Sequence, residues 1–220
     1  ITGDWVSNPS LFDASGVWQA YENVSRASEF VDGSTRYWMK TELNGAGHLR
    51  DRFELGANFD FGVIDSDENR VYVGPDFFGT GQPYGYFVDS HYYSPGWQVD
   101  LRTWNHVLPD GQTQVYSSVL HDGWTVCGVF NGIYKRYDDS TAPEVQDEIA
   151  AWKAKERELG PKPHVLPTKV NGRWSGTFEL FGVDQVKIGD VDVTIDHRPL
   201  TLTRARQTVT WSGAAERQYT

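Results

Sequence analysis

One cysteine occurs in 220 residues. Cys127 therefore has no partner for a disulfide within the chain, which fits a reducing, cytoplasmic setting. No apolar run approaches the roughly 20 residues that a membrane-spanning helix needs, and no secretory leader is visible from Ile1 onward. Positive charge is scarce: 20 Lys and Arg stand against 30 Asp and Glu, a net charge of −10. A chain without a basic stripe is a poor partner for phosphate backbones and for anionic membrane surfaces, so neither nucleic acid nor membrane is expected. The sequence contains no Gly-x-Gly-x-x-Gly and no Walker loop, which argues against the common nucleotide folds.

Aromatic residues are abundant, with 9 Trp, 11 Tyr and 11 Phe. They accompany β-branched residues in short alternating runs separated by Gly, Pro, Asn and Asp, a pattern of antiparallel strands. Strands are read from Gly16 to about Val24, Thr35 to Leu43, His48 to Leu55, Phe59 to Ile64 and Val71 to Val73. Asn44-Gly45 is a hairpin signal between two of them. Residues 1–15 read as a loop or a short turn of helix, and 74–83, with three Gly and two Pro, as a mobile flap. A helix is expected at 143–159. Pro143 opens it, acids crowd its first turn, Val145, Ile149 and Trp152 share one face, and Gly160-Pro161 stops it. Three more strands follow: Gly172 to Phe181, Val186 to Ile195 and Leu200 to Trp211. The fold class is all-β, an antiparallel meander barrel with one helix. Residues 1–136 form the barrel core, 137–171 helix and linker, and 172–220 three strands that complete or extend the barrel.

The segment from Tyr84 to Arg136 carries the most chemistry. Ser94-Pro95-Gly96, Pro109-Asp110-Gly111 and Asp122-Gly123 divide it into four strands. If all three turns close tightly, Tyr84, Tyr86, Asp100, Arg102, Trp104, His106, Tyr116, Ser118 and Cys127 share one face. Phe87, Val99, Leu101, Val107, Val115, Val119, Val126 and Phe130 share the other, which is an ordinary core face. On the first face Arg102 suits an anionic group, the hydroxyls of Tyr84, Tyr86 and Tyr116 suit a phenol or carbonyl, and Trp104 suits stacking. His106 is the candidate proton-transfer group, with Asp100 to orient it or act as the base.

Other patterns weigh less. His91, His106 and His121 recur every fifteen residues, but the same register turns His106 away from the other two, so no metal is expected. The acidic turn from Asp65 to Asn69 starts like a calcium loop and then has Arg70 where that loop needs Gly. Cys127 reads as a small buried hydrophobe. Asn23-Val24-Ser25 is a glycosylation sequon that a cytoplasmic chain would not use.

Gly16-Val17-Trp18 and Gly172-Arg173-Trp174 each match the Gly-x-Trp that opens the first strand of lipocalin-like barrels, so the chain resembles that family over two tripeptides. The pair also fits a repeat whose second copy is incomplete. A meander barrel with an added helix is similar in layout to the phenolic acid decarboxylases. That resemblance implies a cofactor-free enzyme and a pocket of Tyr, Arg and a carboxylate. The expected function is acid–base chemistry on a small aromatic molecule, as a lyase, decarboxylase or isomerase, without an organic cofactor. A carrier of a small hydrophobic ligand is the alternative, and a module that assembles through edge strands is a third reading; homo-oligomers are compatible with each.

Overall fold

The computed structural model describes residues 4–32, 34–53, 58–65, 69–158, 171–201 and 204–219. The chain divides into two compact units, Ile1–His164 and Val165–Thr220.

The first unit is a closed antiparallel barrel. Its strands are β1 (Asp4–Ser7), β2 (Ser10–Asp13), β3 (Trp18–Val31), β4 (Ser34–Gly45), β5 (Asn58–Asp65), β6 (Arg70–Val73), β7 (Phe78–Tyr84), β8 (Phe87–Ser94), β9 (Val99–Val107), β10 (Thr113–Asp122) and β11 (Thr125–Tyr137). From β3 to β11 each strand pairs with the next, and both β1 and β2 bridge β11 to β3. β1 and β2 are thus two halves of one interrupted stave, and the barrel has ten. Residues 1–15 are therefore not the expected loop. Trp5, Val6, Leu11 and Phe12 are buried and close the sheet, with Asn8-Pro9 between them as the interruption. Proline lacks the N–H that a continuous stave would need there. Gly132 of β11 lies against it; a Cβ at that position would stand 2.6 Å from the Pro9 Cα.

Three further expectations are corrected. The run from His48 opens with a helix, α1 (His48–Phe53), not a strand. Gln19 receives the Leu49 N–H on its Oε1 at 3.2 Å, and Leu49 and Phe53, one helical turn apart, enter the main core. The supposed flap contains strand β7, paired with β8 throughout its length and with β6 over Gly79–Gly81. The C-terminal strands do not complete the barrel, because β1 and β2 already occupy the gap between β11 and β3. The four strands expected between Tyr84 and Arg136 are present as β8 to β11, with Tyr84 closing β7.

The helix α2 (Pro143–Glu158) lies where the sequence puts it. Ile149 is buried, Val145 and Trp152 are half-buried, and Lys153 is half-buried too, which holds its amine below the usual lysine range. Lys135 Nζ sits 4.9 Å from the Trp152 ring. The helix stop at Gly160-Pro161 and residues 66–68 of the acidic turn lie outside the described residues.

The second unit is a four-stranded antiparallel meander: β12 (Gly172–Phe181), β13 (Lys187–Thr201), β14 (Arg204–Gly213) and β15 (Arg217–Tyr219). Its register sorts side chains sharply. Trp174, Phe178 and Leu180 share a face with Val191, Val193, Ile195, Val209 and Trp211. Ser175, Thr177, Asp192, Thr194, Thr208 and Thr210 stand on the other.

Candidate functional site

Register decides which side chains enter the barrel. β9 pairs with β10 so that Val107 faces Gln114, Asn105 faces Tyr116 and Thr103 faces Ser118. The loop between them is wider than a tight turn. The Asp110 carboxylate accepts from the N–H groups of Gln112 and Thr113 and from the Thr113 hydroxyl, at 2.6–2.9 Å, and holds six residues open between paired positions. This opposite parity overturns the expected common face. Tyr116 and Ser118 point inward with Val99, Leu101, Thr103 and Val107. Asp100, Arg102, Trp104 and His106 point outward, together with Phe87, Val115 and Val119.

The outward residues form a surface row. Arg102 pairs with Asp89 at 3.0 Å and lies 5.3 Å from the Trp104 ring, and the hydrogen bonds it donates to the Asp89 carboxylate hold its pKa above the usual arginine value. Asp100 stands 3.8 Å from His91 Nε2. His106 is exposed and meets Phe87 edge-on. A depression of about 840 Å³ takes in Arg102, Asp100, His91, His121 and the fully exposed Trp124, but not His106. Tyr84 and Tyr86 are exposed at the end of β7 and the turn after it. His91, His106 and His121 all face outward, contrary to the expected parity, yet no three His, Cys, Asp or Glu among the described residues are placed to hold a metal ion.

Of the seven expected site residues only Tyr116 lines the interior cavity, which measures about 80 Å³. Its wall is part aromatic and aliphatic, from Met39, Phe61, Phe77, Trp97 and Leu101, and part polar, from Glu22, Arg26, Arg70, Asn105, Gln114 and the rings of Tyr72, Tyr92, Tyr116 and Tyr134. Trp97 packs near the wall, stacked 6.0 Å from Phe130.

Glu22 and Arg26 come from β3. They lie four residues apart and so share its inner face with Ala20 and Val24. Glu22 is 3% exposed, and desolvation pushes its carboxyl up to about 8. Among the described residues no hydrogen bond or ion pair holds its side chain. At neutral pH this carboxyl is mostly protonated. The Arg26 guanidinium sits 4.9 Å over the Tyr134 ring and 5.5 Å over Trp5, and donates to Gln114 Oε1 at 3.1 Å. Opposite Glu22's strand, a chain of hydroxyls crosses three staves. Thr103 Oγ1 donates to the Tyr92 hydroxyl at 2.9 Å and lies 2.7 Å from Ser118 Oγ, which hydrogen-bonds Tyr116. Burial raises Tyr92, Tyr116 and Tyr134 above the ordinary tyrosine pKa, and the nearby Glu22 adds to the effect, so all three keep their protons.

The cavity thus combines a neutral acid, two arginines and phenolic hydroxyls. Glu22 and Arg26 escape a reading of the sequence because a strand carrying Glu and Arg resembles a solvent face; their alternation with Ala20 and Val24 is the one signal that places them inside. Cys127 is half-buried against the core, and its thiol pKa is raised by burial. No family model matches the sequence, and no curated protein matches it.

Proposed function

We propose that the barrel interior binds a small aromatic molecule bearing an anionic group and performs cofactor-independent acid–base chemistry on it. The protein is then a lyase, decarboxylase or isomerase. The observation that carries this reading is Glu22: a buried carboxyl, kept neutral by desolvation and lacking a partner of its own, on the wall of a cavity that also holds an arginine. An unpaired buried acid is expensive for the fold and useful for proton transfer. Its raised pKa suits a general acid working near neutrality. Arg26 would hold the anionic group, and the Tyr92–Thr103–Ser118–Tyr116 chain would receive a phenolic hydroxyl. Phe61, Phe77 and Trp97 would flank the ring.

The volume sets the substrate's size. A cavity of about 150 Å³ is known to accept benzene. A space of about 80 Å³ takes one ring only when a flexible side chain such as Met39 moves aside. Fused rings are excluded on the same ground.

Single-ring probes test the reading: 4-hydroxybenzoate and 4-hydroxycinnamate, with binding followed by Trp97 fluorescence and turnover by chromatography. Binding with turnover, and a loss of turnover by roughly 10²–10⁴ in Glu22→Gln with binding retained, is the expected result. Arg102→Met and His106→Gln, on the outer face, should leave both unchanged. Binding without turnover makes the protein a carrier and overturns the enzyme reading. A full loss of turnover in His106→Gln would return the chemistry to the outer row.

A further inference from the structure

The second unit leaves an amphipathic sheet half-covered. Its polar face carries hydroxyls and acids, and its apolar face leaves Phe178 59% and Trp174 42% exposed. Antiparallel sheets tolerate one wet face, but the other belongs against a second layer. Among the described residues, β12 and β15 each pair on one side only, so the sheet is open at both edges. An isolated meander of this kind has only half a core.

We infer that the apolar face of β12–β14 is a self-association surface, on which a second copy of the same sheet packs to make a two-layer, eight-stranded shell. Area supports a second copy. Strands of 10, 15, 10 and 3 residues, at about 3.3 Å per residue and about 4.8 Å between strands, offer roughly 600 Å² per sheet. Two copies bury about 1,200 Å², which passes the threshold for a specific interface. Charge supports it as well. Asp190, Asp192 and Asp196 stand on the opposite face, so two apolar faces meet without opposing these acids. On the apolar face the described polar side chains are Arg217, on the outermost strand, where it stays in the rim, and His197 and Gln207 at one end, of which His197 is itself buried. An apolar face without a charge pattern offers nothing to select a foreign partner, whereas an isologous pair needs only self-complementarity. Two such layers pack about 10 Å apart, with Trp174 and Phe178 interdigitating across the gap. This inference is independent of the barrel's interior chemistry.

Sedimentation of the whole chain between about 1 and 100 µM tests it, since an interface near the lower size limit is expected to be weak. The wild type should be dimeric at the upper end. Phe178→Glu should weaken the dimer at least 100-fold, while Ser175→Glu, on the polar face, should leave it unchanged. A chain monomeric at every concentration overturns the inference, as does a Phe178→Glu variant that dimerises like the wild type. If Phe178→Glu unfolds the unit, amide exchange of wild-type β12–β14 decides instead. Protection that grows with concentration supports the interface, and protection independent of dilution overturns it.

Discussion

The backbone N–H of Glu22 donates to the carbonyl of Pro9 at 2.8 Å. The break in the first stave and the buried acid are therefore one construction. Proline interrupts the stave, and its carbonyl, freed from regular pairing, fixes the backbone of Glu22. Gly132 makes room for it on the other side. Gly132→Ala should destabilise the barrel by about 1–3 kcal/mol, because the new methyl meets the Pro9 backbone, which has no flexible end to give way. Gly128→Ala, whose new methyl would meet the Leu11 and Leu49 side chains and the Phe12 carbonyl oxygen at an ordinary 3.4 Å, should be much milder. Urea midpoints of the two variants measure the contrast; equal midpoints would mean that the Pro9 contact relaxes freely.

Glu22 gives the protein a distinctive pH profile. Its folded pKa of about 8 stands above the unfolded value of roughly 4.3. The folded state thus favours the proton. The stability this gives is fully present below the unfolded pKa, falls as pH rises, and is gone once pH passes the folded pKa. The span is on the order of 5 kcal/mol, lost between about pH 5 and 8. The tyrosines around it, Tyr92, Tyr116 and Tyr134, keep their protons across that window. Asp110 and Asp139, held low by hydrogen bonds in their turns, act in the acid range instead. Glu22→Gln should flatten the slope between pH 5 and 8. A variant that retains the full wild-type slope would place the titration elsewhere.

The barrel was legible in the sequence because its turns are chemically loud, and the site was obscure because parity is not. Asp110 takes three hydrogen bonds to widen one loop, and that widening reverses which residues of β9 and β10 share a face. Tyr116 consequently faces inward and His106 outward. The helix α1 stayed hidden for a simple reason of spacing. Leu49 and Phe53 are four apart, which fits a strand face and a helix face equally. The first stave was masked by Asn8-Pro9, which reads as a loop although Trp5, Val6, Leu11 and Phe12 beside it are buried. The helix α2, with caps and a seven-residue apolar stripe, was legible almost to the residue.

The anchoring of α2 rests on Ile149 more than on Trp152. Ile149 is 4% exposed, while Trp152 is half-buried with Lys135 over its ring. Ile149→Ala should lower stability by about 2–4 kcal/mol and loosen the helix. Trp152→Ala should remove less, about 1–2 kcal/mol, since much of the ring already meets water. Amide exchange along 143–158 separates them: the Ile149 variant should lose helix protection first. The reverse order would mean that the Lys135–Trp152 contact carries the docking.

Thr103 is the central link of the hydroxyl chain, and its removal should be felt by both neighbours. The residue is fully buried, donates to Tyr92 and lies within 2.7 Å of Ser118 Oγ. Thr103→Val keeps the shape and deletes the hydroxyl, leaving the Tyr92 and Ser118 hydroxyls each short of a partner in a region without bulk water. One unsatisfied buried group costs about 1–3 kcal/mol, so the variant should lose roughly 2–4 kcal/mol although it gains an apolar methyl. Thr103→Ser keeps the hydroxyl and loses a methyl, which costs about 1 kcal/mol. If the chain matters as a chain, Thr103→Val combined with Tyr92→Phe should be less destabilised than the sum of the two single variants, because the phenylalanine removes one of the groups left unpaired. Strict additivity in that double-mutant cycle would show that the hydroxyls act separately.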